Sequence, residues 1–366
     1  SDSSRPLSGL SLADDFFRVE SKEYTANVDG INRVNSTGAW WSMFPHTMTD
    51  YLNAFESNAI LQNWNFFGLG NRTALLALAG VKYYTSPANV SSLIPYGYVY
   101  SPALSDSDYN VYENKLALPA GYTFEHYIRR EAFDALSPMQ KQEALLQGIV
   151  LDEKTCEDLP PQITEITADC GTYELDYEIG DLKDLSLTGN TMTAAKDGAS
   201  MTIHADIPEN AELYLQIEGI KLVYPDACNI GVVRYNREPS LRESRIGKIS
   251  NMLSKWPVVR SGITFDLGIG SSGPAKILVK CAAKSRFTYD SIKLWAVPMD
   301  SYESRITALQ DNALRDVHID GRKIRGTIDT EQDSLLQVAV PYSIGWTAYI
   351  DSQKKQVLNS DLLYMA

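Results

Sequence analysis

The sequence predicts a mixed α+β domain, then an antiparallel, jelly-roll-like β-sandwich, then a small C-terminal β unit. Three observations predict this order. Helix signals and short strands alternate up to residue 150. The acidic segment 151–162, which contains a proline pair, has the composition of a linker. From residue 163 the apolar residues recur at every second position, which is typical of half-buried strands.

These observations predict five parts: a lead-in at 1–13, an α+β domain at 14–150, a linker at 151–162, a β-sandwich at 163–300 with an insertion at 225–262, and a helix plus small β unit at 301–366. Residues 1–9 contain neither a basic nor an apolar stretch, so we expect no signal peptide. Because residues 362–366 are mostly apolar and contain no turn, we expect the last unit to be truncated there.

The first domain is organised around residues 69–122. Residues 70–80 predict a short helix, capped by Asn71 or Thr73 and ended by Gly80. Strands follow, because aromatic and β-branched residues alternate between turn-forming residues. Further helices are predicted at 45–57, where apolar residues have helical spacing, and at 137–148, where Ser137 precedes a proline.

The later segments predict strands with polar turns, broken by one irregular insertion. Alternation is clear at 173–179, 201–207, 213–217, 263–267 and 277–281, and such short strands favour a sandwich. The insertion predicts a long loop with a short helix at 246–255. The C-terminal unit predicts a helix at 301–314 and a hairpin around residues 320–321, followed by two strands at 335–340 and 346–351.

Composition excludes several classes of function. The chain has 366 residues, 44% hydrophobic and 22% charged, and carries a net charge of −13. This acidity argues against nucleic acid or an anionic membrane surface as a general partner. No apolar run of ~18 residues is present, so this stretch is not expected to span a bilayer.

The cysteines and histidines do not form a known metal or cofactor motif. Cys156, Cys170, Cys228 and Cys281 lack CxxC spacing, so we expect no zinc site, and no other metal or cofactor is indicated. Cys156 and Cys170 could form a disulfide outside the cytoplasm, or all four could be buried thiols.

Four stretches resemble the extracytoplasmic region of the YfhO family. They are Leu78–Tyr84 with the sequence LAGVKYY, Val111–Tyr122 with VYENKLALPAGY, the run Met48–Leu52, and Val340–Asp351 with VPYSIGWTAYID. The resemblance covers residues 14–130 and 320–351. These bacterial multi-pass membrane proteins are similar to GT-C glycosyltransferases that use lipid-linked sugars.

The resemblance implies that this chain lies on the extracytoplasmic face of the cell membrane, joined to transmembrane segments outside the sequence. It implies a whole protein that moves sugars onto a cell-envelope polymer, such as a teichoic acid. The essential acidic residue of such enzymes lies in a membrane-proximal loop that is not in this chain. We therefore expect no catalytic residue here and a docking role for an acceptor or a partner.

Loop aromatics are one candidate binding surface. Trp40, Trp41 and Trp64 are predicted to cluster with Phe66 and Phe67 in loops. Sugars pack their C–H groups on flat aromatic rings, so the tryptophans could hold a glycan. The alternative is that these rings fill the core of the first domain.

The insertion is a second candidate. It holds seven basic and three acidic residues, a local charge of +4 in an acidic chain. Arg234, Arg237, Arg242 and Arg245 could bind a phosphate-bearing polymer, because guanidinium groups pair with phosphate in a bidentate manner. The alternative is a solvated loop, or a contact to the acidic first domain.

Catalytic motifs are absent from the sequence. The four histidines are far apart, no G-x-S-x-G motif occurs, and the glycine-rich stretch 268–273 lies between two strands instead of opening a helix. Three further hypotheses remain beside acceptor docking: a carbohydrate-binding module, a structural spacer, and a glycosidase. A glycosidase requires two carboxylates ~5–9 Å apart in a cleft.

Overall fold

The structure, a computed structural model, describes residues 16–21, 34–40, 46–62, 65–89, 94–224, 227–235, 242–250, 261–320 and 322–366. The first segment, up to residue 166, alternates short strands with helices. Its strands are β1 Arg18–Ser21, β2 Gly38–Trp40, β3 Ile60–Gln62, β4 Asn65–Phe67, β5 Val81–Pro87, β6 Tyr98–Tyr100, β7 Tyr109–Asn114, β8 Gly121–Phe124, β9 His126–Arg129, β10 Ile149–Leu151 and β11 Thr164–Glu165. Its helices are α1 His46–Ala54, α2 Thr73–Leu78, α3 Arg130–Asp134, α4 Pro138–Ala144 and α5 Glu153–Glu157.

Small sheets enclose one short central helix in this segment. Strand β1 runs parallel to β5, which continues into the antiparallel meander β5–β7–β6. Strands β2, β4 and β3 form a second sheet, and β10, β9 and β11 form a parallel third one. Every residue of helix α2 is buried, as expected for a helix that is apolar all round.

The second segment is an antiparallel β-sandwich, as predicted. Its strands are β12 Tyr173–Leu175, β13 Glu178–Lys183, β14 Leu185–Thr188, β15 Thr191–Ala194, β16 Ala199–Glu218, β17 Lys221–Tyr224, β18 Ala227–Tyr235, β19 Arg242–Ser250, β20 Ile263–Cys281, β21 Arg286–Thr288 and β22 Ser291–Pro298. The large sheet has the order β12–β22–β16–β20–β18–β19, with β13 also paired to β16. The small sheet has the order β14–β15–β21–β17. One apolar cluster fills the space between them.

The large sheet is buried on both faces along the second half of β16. Leu213, Leu215 and Ile217 point into the sandwich core, as their alternation predicts. Glu212 and Gln216, which alternate with these residues along the strand, are also buried. They lie on the outer face of the sheet, which the first segment covers. At this place the outer face of the sheet, which would be exposed to water in an isolated sandwich, is instead in contact with the first segment.

The C-terminal segment shares a core with the first segment. It contains α6 Tyr302–Asp311, β23 Arg315–Asp320, β24 Lys323–Thr327, β25 Leu335–Pro341, β26 Ala348–Ile350, β27 Gln353–Lys355, β28 Asn359–Ser360 and β29 Tyr364–Met365. Strand β25 pairs with β8 of the first segment, and Leu335 and Leu363 join the same apolar cluster as helix α2. The predicted domain boundaries remain a prediction, whereas the sheets and clusters show which segments pack together.

Two local predictions are wrong. Residues 246–250 belong to strand β19, although a helix was predicted at 246–255; the remaining residues of that stretch lie outside the described ones. Pairing of β19 with β18 explains the difference, because a strand partner outweighs weak helix propensity. Helix α2 exists as predicted, but its N-cap is Arg72, which makes no side-chain cap.

Candidate functional site

One of the predicted tryptophans, Trp40, lies in a small sheet of the first segment. Trp40 ends strand β2, and the register places its backbone opposite Asn65. Trp41 and Trp64 lie outside the described residues, and Trp40 is described by its backbone alone. The neighbouring Phe66 is buried, so that ring belongs to the core. A sugar platform formed by the tryptophans stays a prediction.

The predicted arginines fall into two groups. Arg234 in β18 is fully buried and Arg245 in β19 is 8% exposed, so both guanidinium groups face the protein interior. Strand pairing causes this, because the insertion forms a hairpin on the large sheet instead of a solvated loop. Arg242 lies in β19 and is described by its backbone, whereas Arg237 lies outside the described residues.

The two buried arginines belong to a charged cluster between the sandwich and the first segment. We call this cluster the junction, and it consists of Arg72, Glu212, Arg234, Arg245 and Asp266. Arg245 lies 3.5 Å from the Asp266 carboxylate, and Arg234 donates a hydrogen bond of 2.8 Å to the Ile269 carbonyl. Burial raises the pKa of Asp266, while the positive charges of Arg245, Arg72 and Arg234 oppose that rise. Burial lowers the pKa of Arg234 to about 10.

A tight loop delivers Arg72 to the junction. Glu20, buried in β1, accepts hydrogen bonds from Thr37 and from the backbone N–H groups of Leu69 and Asn71. Gly68 has a φ of +93°, and a Cβ there would lie 2.6 Å from the Glu20 carboxylate. The sequence therefore needs glycine at this position. The loop ends at Arg72, which donates to the Phe55 carbonyl at 2.6 Å.

Glu212 joins the sandwich to helix α2. Its carboxylate accepts hydrogen bonds from the backbone N–H of Thr73 at 3.0 Å, from the Thr73 hydroxyl, and from the Tyr214 hydroxyl. Arg72, the N-cap residue of α2, makes no side-chain cap. Glu212 therefore provides the acceptor for the N–H group at the start of this helix. Burial, together with the nearby charge of Asp266, raises the pKa of Glu212 from 4.5 to about 7.

The junction is sealed and therefore structural. Glu212 is 3% exposed and Asp266 is 2% exposed, so no glycan can reach either carboxylate in this conformation. A glycosidase needs its two carboxylates in an open cleft. This pair holds segments together and does not match that requirement.

An open groove of about 440 Å³ lies elsewhere on the first segment. Helix α1 forms one wall, helices α3 and α4 form another, and the chain near Asn359 and Leu362 forms the base. The polar side chains that line it include His46, Asp50, Asn53, Arg130, Asp134 and Lys141. A groove of this volume is in the range of small-molecule and sugar sites.

The helices that form the groove are amphipathic, and this places the polar residues at its rim. Tyr51 and Leu52 of α1 pack into the core, so His46 and Asp50 lie on the outer face one turn apart. Phe133 of α3 anchors that helix in the core and leaves Arg130 and Asp134 outside. Helix α4 begins at the predicted cap residue Ser137, which forms a capping box because its side chain accepts from the backbone N–H of Gln140.

The groove offers both charges and hydrogen-bonding groups. Arg130 pairs with Asp134 at 2.8 Å, and His46 lies 4.0 Å from Asp50. Thr47 Oγ1 and Asn53 Oδ1 are buried and have no hydrogen-bond partner within the described part of the chain. Carboxylates, amides and hydroxyls in one groove can bind the hydroxyl groups of a sugar or polyol.

Sequence reasoning missed this groove. Asp50 belongs to a stretch that carried the family resemblance, but Arg130, Asp134 and Lys141 lie far from it in the chain. The outward face of each short helix was available from the apolar spacing. What the spacing could not give is that α1, α3 and α4 meet around one groove.

The structure also bears on metal ions and thiols. Among the described residues, no group of three or more His, Cys, Asp or Glu side chains could hold a metal ion. All four cysteines are free thiols, which leaves Cys156 and Cys170 unpaired. Burial raises the pKa of each thiol, to about 12 for Cys170. Such thiols are poor nucleophiles at neutral pH.

A comparison with protein families decides the family. The model described as "Bacterial membrane protein YfhO" matches residues 5–362. The chain belongs to the YfhO family. The uncharacterized protein YfhO of Bacillus subtilis (strain 168) is 20% identical over 309 residues, which are 82% of this chain and 32% of that protein. The chain thus spans about a third of the length of this relative. In the residues that the structure describes, no helix has the length and apolar character needed to cross a membrane.

Solved structures similar to part of the chain include carbohydrate-binding modules. A family 61 module in complex with β-1,4-galactotriose is 12% identical, with 32% of this chain and 86% of that chain covered and a TM-score of 0.21. The C-terminal family 6 module of a laminarinase from Zobellia galactanivorans is 10% identical, with 35% and 99% covered and a TM-score of 0.22. Similarity of this size carries no argument about what the chain binds.

Proposed function

We propose that this chain is the extracytoplasmic region of a YfhO-family membrane protein and docks the acceptor of a sugar-transfer reaction. The transfer takes place elsewhere in the full-length protein, which resembles GT-C glycosyltransferases that use lipid-linked sugars. The acceptor is a glycan or an anionic, teichoic-acid-type polymer of the cell envelope. The region positions this acceptor and has no catalytic residue of its own.

The open polar groove carries this proposal. It combines the exposed carboxylates of Asp50 and Asp134 with amide groups and two cationic side chains. Such a set of donors and acceptors suits a hydroxyl-rich ligand better than an apolar one. Family membership supports the setting, because the matched family is described as a bacterial membrane protein.

A binding screen on this chain tests the proposal. Glycan arrays and purified teichoic acids would be probed with the wild-type chain and with an Asp50→Asn/Asp134→Asn variant. The matched control is Asp181→Asn/Asp333→Asn, which changes two exposed carboxylates outside the groove. We expect binding that falls about fivefold or more in the groove variant and stays unchanged in the control.

The same screen examines the two earlier candidates. A Trp40→Ala/Trp41→Ala variant and an Arg237→Ala/Arg242→Ala variant would be measured in parallel. Loss of binding in either of these, with full binding in the groove variant, would move the docking site away from the groove. Absence of binding to every ligand would overturn the docking proposal.

A structural spacer is the second candidate, and the junction favours it. Arg72 donates a buried hydrogen bond to the Thr264 carbonyl at 3.5 Å, and Glu212 accepts one from the Thr73 backbone N–H, so both tie the first segment to the sandwich. Strand β25 ties the C-terminal segment to β8. A body held together in this way could keep two parts of a membrane protein at a fixed separation. A spacer needs no ligand, so the binding screen separates the two candidates.

A further inference from the structure

Lys141 differs from the other charged residues that line the groove. Its side chain is half-buried in the groove wall, and its ammonium group lies 5.7 Å from the centre of the Phe133 ring. Arg130 pairs with Asp134 at 2.8 Å. In the described part of the chain, the Lys141 ammonium group takes part in no ion pair or hydrogen bond. A lysine that has lost part of its water without gaining a carboxylate partner is prepared to bind an anion.

The surroundings of Lys141 agree with this assignment. Burial lowers the pKa of Lys141, although the negative charges of Asp134 and Glu56 oppose the shift. Glu56 already accepts hydrogen bonds from Gln216 at 2.9 Å and from Thr264 at 3.1 Å, and Asp134 is held by Arg130. Both nearby carboxylates are therefore engaged elsewhere, and the position next to the ammonium is left to a ligand.

We infer that Lys141 determines the specificity of the groove by binding an anionic group, a phosphate or a carboxylate, on a ligand that is otherwise rich in hydroxyls. The inference rests on the proposed function, because it names the chemistry of the ligand docked in that groove. Asp50 then binds the hydroxyls, since carboxylate oxygens accept from O–H groups. Asp50 also fixes the orientation, because it repels the anionic end of the ligand towards Lys141.

Isothermal titration with four probes tests the inference. The probes are a glycerol phosphate oligomer, a uronic acid oligosaccharide, a neutral oligosaccharide and inorganic phosphate alone. The variants are Lys141→Met, which keeps the apolar stem, and Lys141→Arg, which keeps the charge. Lys196→Met on the sandwich is the control, since Lys196 is 73% exposed and lies outside the groove.

We expect Lys141→Met to weaken anionic probes about tenfold or more, because a hydrogen bond to a charged group is lost. Lys141→Arg should restore the affinity for anionic probes to within about threefold of the wild type. Raising the salt concentration should weaken the binding of anionic probes more for the wild type than for Lys141→Met. The relative affinities of the phosphate and uronic acid probes identify the source of the anion. The neutral probe should bind both Lys141 variants and the control alike.

Three results would contradict the inference, each in a different way. If each probe binds Lys141→Met as tightly as it binds the wild type, the groove docks a ligand without using Lys141. The inference then fails, while the proposed function is retained. If no probe binds while circular dichroism shows a folded chain, both the inference and the docking function fail. Binding of inorganic phosphate that Lys141→Met leaves unchanged would also contradict the assignment.

Discussion

The junction and the groove contain the same kinds of charged side chain but differ in their access to water. In the junction, Arg72 is fully buried and Glu212 is 3% exposed. In the groove, the side chains of Asp50 and Arg130 are 59% and 46% exposed. The comparison teaches that burial, more than residue type, separates charges that hold the fold from charges that can meet a ligand.

The electrostatics of the two regions follow from this difference. A buried charge loses its hydration, so its removal or its titration changes the free energy of unfolding by several kcal/mol. An exposed ion pair keeps most of its hydration and contributes ~0–1 kcal/mol. Substitutions in the junction should therefore change stability, whereas substitutions in the groove should change binding.

The largest expected effect is that of Arg72→Met. The substitution removes a buried positive charge that attracts the negative charges of Asp266 and Glu212. It also removes the hydrogen bond to the Phe55 carbonyl. We expect the free energy of unfolding to fall by about 3–5 kcal/mol, the range for breaking a buried charge network. Urea denaturation followed by tryptophan fluorescence measures this.

Arg130→Met is the matched control, since it removes an arginine of the groove that is paired at the surface. We expect it to cost no more than ~0.5 kcal/mol. Equal effects of the two substitutions would contradict the contrast between a sealed junction and an open groove.

The next effect is a pH dependence of stability to which two buried carboxyl groups contribute, Glu212 of the junction and Asp361 of the C-terminal segment. Burial raises the pKa of Glu212 from 4.5 to about 7, and it raises the pKa of Asp361 from 3.8 to about 7. A raised pKa means that the folded chain holds these protons more tightly than the unfolded chain does. The stabilisation is thus complete below pH ~4 and is lost as the pH rises through about 7.

Glu212→Gln tests this dependence. Each pKa unit corresponds to ~1.4 kcal/mol, so Glu212 should account for roughly 3 kcal/mol of the fall in unfolding free energy between pH 5 and 8. The variant should lose this part and keep the part that the other buried carboxyl groups with a raised pKa contribute, namely Asp361, Asp266 and Glu20. The test is urea denaturation at four pH values, and an unchanged slope would show that Glu212 does not titrate in this range.

Much of the fold could be predicted from the sequence, because the apolar spacing is local information. The alternation at Leu213, Leu215 and Ile217 predicted a strand of the sandwich, and Ser137 with the following proline predicted the start of α4. The helix predicted at 246–255 was wrong over residues 246–250, because strand pairing with β18 is a long-range effect. The predicted N-cap of α2 was wrong for the same reason, since the carboxylate that accepts from Thr73 belongs to Glu212, 139 positions away.

The candidate site was harder to predict than the fold. Arg234 and Arg245 looked like a solvated basic loop because composition does not show which side chains a sheet buries. Arg130 and Lys141 drew no attention, because a charged residue on a short helix is most often only a solvated residue. The groove exists because three helices meet, and that arrangement follows from packing that no single segment encodes.

The smallest expected effect comes from paired substitutions that measure coupling energies in both regions. One double-mutant cycle combines Thr73→Val with Glu212→Gln, and the other combines Arg130→Met with Asp134→Asn. We expect a coupling of about 1.5–3 kcal/mol in the junction, where the hydrogen bond to a charged group is buried. In the groove we expect about 0.3–0.5 kcal/mol, the value for an exposed pair one helical turn apart. Raising the salt concentration should reduce the groove coupling and leave the junction coupling nearly unchanged, because only the exposed pair is screened. A groove coupling as large as that of the junction would mean that the groove is closed to water, and its assignment as a docking site would then be wrong.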